Sequence, residues 1–453
     1  MDDAATMLVS ARPQLDVPVS LPRTAVAEQD AAPMFSALAF FFVMTSYYIM
    51  RPVRDQLSGA VGSIELPLFY AAVFVVMLLL TPVFGMLVAR FPRKQLLAWT
   101  YGFFIVCLLA FVPAFMAQDR IGARALGVAF FVWVSVFNLF VVSLFWSFMA
   151  DIFSSGDARR VFSLIALGGM AGAIFGPLVT KLLVQLIGVA PLLLVSALAL
   201  GVSLSLLLRI SIRDERRPGG SVVQQAVGGS LWAGVKELWA SPFLRYMALL
   251  MLFGDGIGTL AYALVADYAK AHFTTAVART SFYNDLDLAT NLIGAVLQLT
   301  VTRWLLVRRG AGWGLVLPAV VNVVLLVGVF LLGGSYLMFG ASVPLLAVML
   351  AVTRGFGYGM TKPASDALYT RVPRETRYKG KNFVETTVWR FGDLVVTSGV
   401  SGLGALGWGV AGMSLVAAGV AAMAAVVAQR AGWSPDLAPE GPALAGVAGN
   451  PAS

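Results

Sequence analysis

Twelve apolar runs, each about long enough to cross a bilayer, leave this chain few alternatives to a bundle of membrane-spanning helices. They fall at residues 34–57, 66–89, 96–117, 124–150, 162–187 and 190–208, and then at 243–266, 284–305, 313–334, 341–360, 384–407 and 409–429. At 1.5 Å of rise per residue, about 20 helical residues traverse the roughly 30 Å of hydrocarbon. The expected fold is an all-α membrane protein of about twelve transmembrane helices in two six-helix halves.

Composition points the same way. Of the 453 residues, 59% are apolar and 12% charged, whereas a soluble chain carries about a quarter charged residues. The net charge of +9 sits largely in short clusters between the runs, the pattern of the positive-inside rule, and so speaks for membrane orientation rather than a nucleic-acid partner. Cys107 and His272 are the only cysteine and histidine, which excludes an intrachain disulfide and a Cys/His metal cluster. No cofactor is expected. No G-x-x-x-x-G-K-[ST] loop, nucleophile elbow or H-E-x-x-H motif occurs, so the sequence reads neither as an ATP-driven pump nor as an enzyme.

The organisation expected is a flexible tail at 1–32 without the basic start of a signal peptide, a six-helix half at 33–209, a cytoplasmic linker at 210–242, a second half at 243–430 and a tail at 431–453. An amphipathic surface helix is expected around Trp232–Trp239. Landmarks recur about 215 residues apart, Arg90 near Arg303, Asp151 on Asp366 and Arg160 on Arg377, as in transporters built from parallel repeats. With both termini cytoplasmic, the basic clusters at Arg90, Arg93 and Lys94, at Arg159 and Arg160, in the linker, at Arg308 and Arg309, and at Arg371–Lys381 all fall inside. The localisation expected is the bacterial cytoplasmic membrane.

Charged side chains inside spans cost at least about 2.5–3.5 kcal/mol each, which makes them functional candidates. On the first run Tyr48, Arg51 and Asp55 share a helix face with Arg54 at its flank, and Pro52 suggests a break. Arginine suits phosphate or carboxylate because its planar fork donates two parallel hydrogen bonds. Asp255 stands among Gly254, Gly256 and Gly258 in the seventh run, and Glu385, Trp389 and Asp393 recur every four residues in the eleventh, beside Lys381 and Arg390. Asp55, Asp255, Glu385 and Asp393 are the candidates for coupling or ion pairing. Asn138, Asn291 and Gln298 are amides on apolar helices that can bond between helices, and Trp146 can stack on a ring. Gly168, Gly169, Gly172 and Gly176 form a small-residue packing face.

Gly85-Met86-Leu87-Val88-Ala89-Arg90-Phe91-Pro92-Arg93-Lys94 resembles the helix 2–3 signature of the major facilitator superfamily, with Ala89 and Pro92 where that family usually has Asp and Gly. Three further segments resemble the ATP/ADP exchange transporters and their bacterial relatives: Tyr47–Asp55, Phe145–Phe148 with Asp157-Ala158-Arg159, and Arg377–Lys381. Val134 and Tyr262 stand near the places where those exchangers carry acidic residues. The resemblance implies secondary transport by alternating access, and the arginines inside the spans point to a small anionic solute such as a nucleotide, phosphate ester or carboxylate as partner, coupled by exchange or by proton symport. The solute is expected between the first and eleventh helices, held by Arg51, Arg54 and Arg390. The alternative is a receptor or scaffold derived from a transporter fold.

Overall fold

The computed structural model describes residues 23–153, 158–214, 231–338, 343–373 and 380–438. Asp157, linker residues 215–230, and Arg374, Arg377 and Lys379 lie outside the described residues. The first half comprises α1 (Arg23–Val61), α2 (Leu66–Arg90), α3 (Arg93–Met116), α4 (Ala123–Ile152), α5 (Ala158–Ile187) and α6 (Leu192–Asp214). The second comprises α7 (Pro242–His272), α8 (Ala276–Arg309), α9 (Trp313–Leu332), α10 (345–369), α11 (381–405) and α12 (Val410–Gly432). A short helix at Leu231–Ala240 precedes α7, with Lys236 exposed, where the amphipathic element was expected.

Ten of these helices are long and apolar enough to cross a membrane, among the described residues; α10 and α11 are not in that set. Arg354, Lys362 and Asp366 in α10, and Lys381, Glu385, Arg390 and Asp393 in α11, lower the hydropathy of these two helices. Both are moreover broken in register, because a π-helical turn interrupts each, at Gly357–Thr361 and Val384–Val388. Similar wide turns occur at Asn138–Val142 in α4, Met251–Asp255 in α7 and Gln298–Thr302 in α8. Such turns recur at functional sites, since each rotates everything beyond it relative to the helix before.

Two expectations change. α1 runs unbroken through Pro52, so the loss of one backbone bond there does not unwind it. Before that proline, α5 lies directly on α1 through glycines. A Cβ on Gly168 would sit 2.3 Å from the Ala37 carbonyl oxygen, on Gly172 2.2 Å from that of Phe41, and on Gly176 2.9 Å from that of Thr45. Only glycine allows backbones so close, and the predicted packing face is thereby located. The four-residue ladder Glu385–Trp389–Asp393 is also split, because the π turn at Val384–Val388 rotates Glu385 away towards Lys362, to which it bonds at 2.6 Å.

An even number of spans brings the start of α1 and the finish of α12 to one end of the bundle, here the terminal end; the other is the far end. At the far end the halves are bound together. An apolar cluster contains Leu66, Phe69, Tyr70 and Val73 of α2 with Ile257, Ala261 and Leu264 of α7. Asp267 of α7 accepts from the backbone N–H and hydroxyl of Ser63, both at 2.7 Å, and Lys270 donates to the Val61 carbonyl at 2.8 Å. The chain turns there through Gly62 at φ +82°, close against Asp267 and Lys270, a conformation that a side chain would strain.

Candidate functional site

Below the far-end closure, α1, α2, α7, α8 and α10 enclose a cavity of about 60 Å³. Arg51 stands ten residues from the end of α1 at Val61, some 15 Å into the bundle at 1.5 Å per residue. Three arginines line the cavity: Arg51 and Arg54 from α1, and Arg354 from α10. Asp55 and Asp287 line it as well, with the phenols of Tyr70, Tyr262 and Tyr283. Room of this size holds a few waters or one small oxyanion group.

The charges are distributed in pairs. Arg54 grips Asp55 Oδ1 through Nε and Nη2, both at 2.7 Å, and its guanidinium lies 4.5 Å from the centre of the Phe131 ring. Tyr262 donates to the same carboxylate oxygen at 2.9 Å and shares a hydrogen bond with Ser58 across the halves. Arg51 is 4.0 Å from Asp55 but nearer to Asp287 of α8, at 3.3 Å. That approach is not aligned as a hydrogen bond, and Arg51 Nε and Asp287 Oδ2 are both buried without hydrogen-bond partners. Arg354 donates to Asp255 at 2.7 Å and to Thr259 at 3.3 Å, and Thr259 in turn donates to Asp393 at 2.6 Å. The Trp389 indole N–H donates to the other oxygen of Asp255.

Gly258 makes room for Arg354, since a Cβ there would meet its guanidinium carbon and Nε at 2.9 Å. Around Asp255 the chain stays helical, and α7 widens into a π turn that ends at Asp255.

The sequence-derived candidates divide accordingly. Arg51, Arg54 and Asp55 line the cavity, with Tyr48 buried beside them, its ring 5.6 Å from the Arg51 guanidinium. Asp255, Trp389 and Asp393 form the layer behind Arg354. Arg390, expected opposite Arg51, is not in the cavity lining: it stacks at 4.6 Å on Trp389 and lies 3.6 Å from Asp393. Lys381 and Glu385 join a terminal-end network with Lys362 and Asp366, Lys381 bonding Asp366 at 2.7 Å. Asn291 donates to the Ala173 carbonyl of α5 at 2.7 Å, a bond between halves. Trp146 packs on Phe40, Phe145 and Phe162, and Asn138 opens the π turn of α4; neither lines the cavity.

Arg354, Asp287 and Tyr283 were not singled out from the sequence, although Arg354 is a lone cation in the apolar run 341–360 and that signal was present. Tyr262, noted only as standing where exchangers carry an acid, bonds to Asp55.

A sequence model described as the Major Facilitator Superfamily matches residues 37–392. No curated protein matches the chain in sequence. Among solved structures, a bacterial homologue of the iron transporter ferroportin in an inward-facing state superposes with a TM-score of 0.61 at 15% identity, over 90% of this chain and 99% of that one. The nucleoside transporter NupG gives 0.63 at 13% identity over 88% and 99%. A bacterial homologue of the human lysosomal transporter Spinster, inward-facing and unoccupied, gives 0.56 at 13% over 89% and 99%.

Proposed function

Because this chain belongs to the Major Facilitator Superfamily and is a secondary transporter in a membrane, we propose that its solute is a small anion bearing a phosphate, sulfate or carboxylate group, held by Arg51, Arg54 and Arg354. The observation that carries this reading is the convergence of arginines from both halves on one cavity. Guanidinium forks bind oxyanions through paired charge-assisted hydrogen bonds. Three arginines against two aspartates in the lining leave a positive face, and the phenols of Tyr70 and Tyr283 add hydroxyls beside it. The cavity volume of about 60 Å³ suits a single oxyanion group, so any larger remainder of the solute extends towards the terminal end.

Basic residues at the terminal end, among them Arg90, Lys94, Arg209, Arg303, Arg308, Arg309 and Arg430, favour placing that end in the cytoplasm. The bonds at the far end then close the outside, and the solute exchanges with the cytoplasm in this conformation. Alternating access follows if the far-end bonds part as the terminal end closes.

The test is a thermal-shift panel on purified protein with inorganic phosphate, sulfate, acetate, succinate, AMP, glucose and adenosine. Stabilisation by at least one anion, weakened at least tenfold by Arg51→Lys and Arg354→Lys and less than twofold by Arg390→Lys, is expected. Stabilisation by the neutral solutes alone, or equal loss from Arg390→Lys, overturns the proposal.

A further inference from the structure

Each arginine in the middle of the described spans already has a carboxylate: Arg51 has Asp287, Arg54 has Asp55, Arg354 has Asp255 and Arg390 has Asp393. The site as a whole is therefore neutral, even though the cavity itself presents an excess of arginine. An anion that draws an arginine off its carboxylate leaves that carboxylate without its counter-charge, and at Asp287 this happens in a nearly buried place. A buried carboxylate so abandoned is neutralised by a proton.

The four carboxylates are not equally easy to abandon. Asp55 Oδ1 holds Arg54 and Tyr262. Asp255 has both oxygens engaged, by Arg354 and Trp389, and Asp393 accepts from Thr259 beside Arg390. Asp287 has only the misaligned approach of Arg51 on one oxygen and no hydrogen-bond partner on the other, at 6% exposure. Its pair with Arg51 also joins α8 to α1, so breaking it loosens one half from the other.

We infer that the anion is carried together with a proton, and that Asp287 receives this proton when Arg51 passes from it to the solute. The inference rests on the anionic reading above and adds the coupling. The proton comes from water and adds to a carboxylate oxygen of Asp287; no other bond is made or broken. The groups facing Asp287 fit this assignment. From α1 come Arg51, Arg54, Asp55 and Tyr48; from α2, Tyr70; from α8 itself, Tyr283; from α7, Tyr262; and from α10, Arg354, with Tyr358 beside Arg51 and Tyr48. On α5, Lys181 is held by Asp285 at 2.9 Å, and Asn291 of α8 is held by Ala173. The remaining carboxylate of the set, Asp55, is already held by Arg54, so neutralisation falls to Asp287.

Sulfate and acetate serve as probes, because neither changes its own charge between pH 6 and 8.5. Their binding to the full-length protein in detergent is followed by tryptophan fluorescence, and proton uptake by a pH-indicating dye in weak buffer. In the wild type, affinity for a binding anion should fall by about tenfold per pH unit over the titrating range, as linkage to one proton requires, with net uptake of a proton on binding. Asp287→Asn, which resembles the protonated side chain, should bind as tightly at pH 8.5 as the wild type does at its acidic limit, and take up no proton. Asp255→Asn should keep the pH dependence. Anion binding with neither pH dependence nor proton uptake in the wild type, a measurement independent of how any variant folds, overturns the coupling and leaves the anionic reading standing. Binding of neither probe nor any other anion of the panel at any pH removes both.

Discussion

Substituting Gly258 by alanine tests whether the position of Arg354 sets the site. The added Cβ would lie 2.9 Å from Cζ and Nε of Arg354, whereas ordinary contact begins at 3.4 Å, so the guanidinium must retreat by about 0.5 Å, the difference between those two distances. It cannot swing freely, being tied to Asp255 at 2.7 Å and Thr259 at 3.3 Å. At an effective dielectric of about 20, lengthening a charge separation from about 4 to about 4.5 Å forfeits roughly 0.5 kcal/mol. Disturbing a hydrogen bond to a charged group adds roughly 1.5–3 kcal/mol. A loss of about 2–3.5 kcal/mol in anion binding corresponds to roughly 30- to 400-fold. Gly254→Ala is the control on the same helix, for its Cβ would meet Leu250 only at 3.6 Å. Both changes bring the similar gain of about 1 kcal/mol that alanine has over glycine in a helix, so it cancels in the comparison. The readouts are the melting temperature and the anion titration of each variant. If Gly258→Ala binds anions as Gly254→Ala does, the placement of Arg354 against α7 does not matter to the site.

Two further predictions concern the ends of the bundle. Asp267→Ala removes both acceptors from Ser63; at roughly 1–2 kcal/mol the open-to-closed ratio should rise by about 5- to 30-fold. A Leu66→Cys probe in a Cys107→Ser background, buried in the far-end cluster, should then label faster with an impermeant maleimide, and unchanged labelling rejects the latch. Asp436, beyond α12, accepts from Ser241, Ser434 and the Phe243 N–H, and these hydrogen bonds hold its pKa below the ordinary carboxylate range. A depressed folded-state pKa means stabilisation that is full above the unfolded value of about 3.9 and is lost as pH falls through the folded one. Asp436→Asn should therefore melt below the wild type at pH 7, with the gap closing below about pH 4; a gap independent of pH refutes the assignment.

The spans and the glycine face were legible because each is local: apolar length names a helix, and Gly168, Gly172 and Gly176 recur at helical spacing. Arg51 and Asp55 were legible for the same reason, being four apart on one helix. Asp287 was not, because Asn284-Asp285-Leu286-Asp287 reads as the polar edge of a run that starts at 284, whereas α8 begins at Ala276 and carries Asp287 into the bundle. Arg390 looked like the partner of Arg51 by depth alone. Which face it presents depends on the π turn at Val384–Val388, and a wide turn has no dependable sequence signature. Arg354 is chosen instead by the space at Gly258, a relation between two helices about a hundred residues apart.

The pairing of four arginines with four aspartates inside the spans has an electrical consequence. Moving one elementary charge through a 100 mV potential takes about 2.3 kcal/mol, enough to bias a conformational equilibrium nearly fiftyfold. A balanced interior moves no net charge when the unloaded halves rock, so that step does no work against the membrane field. A monovalent anion travelling with one proton preserves the balance, and its accumulation would follow the pH gradient with no contribution from voltage. A divalent anion with a single proton would carry one negative charge through the field, and for it the membrane potential would enter as a second term of comparable size.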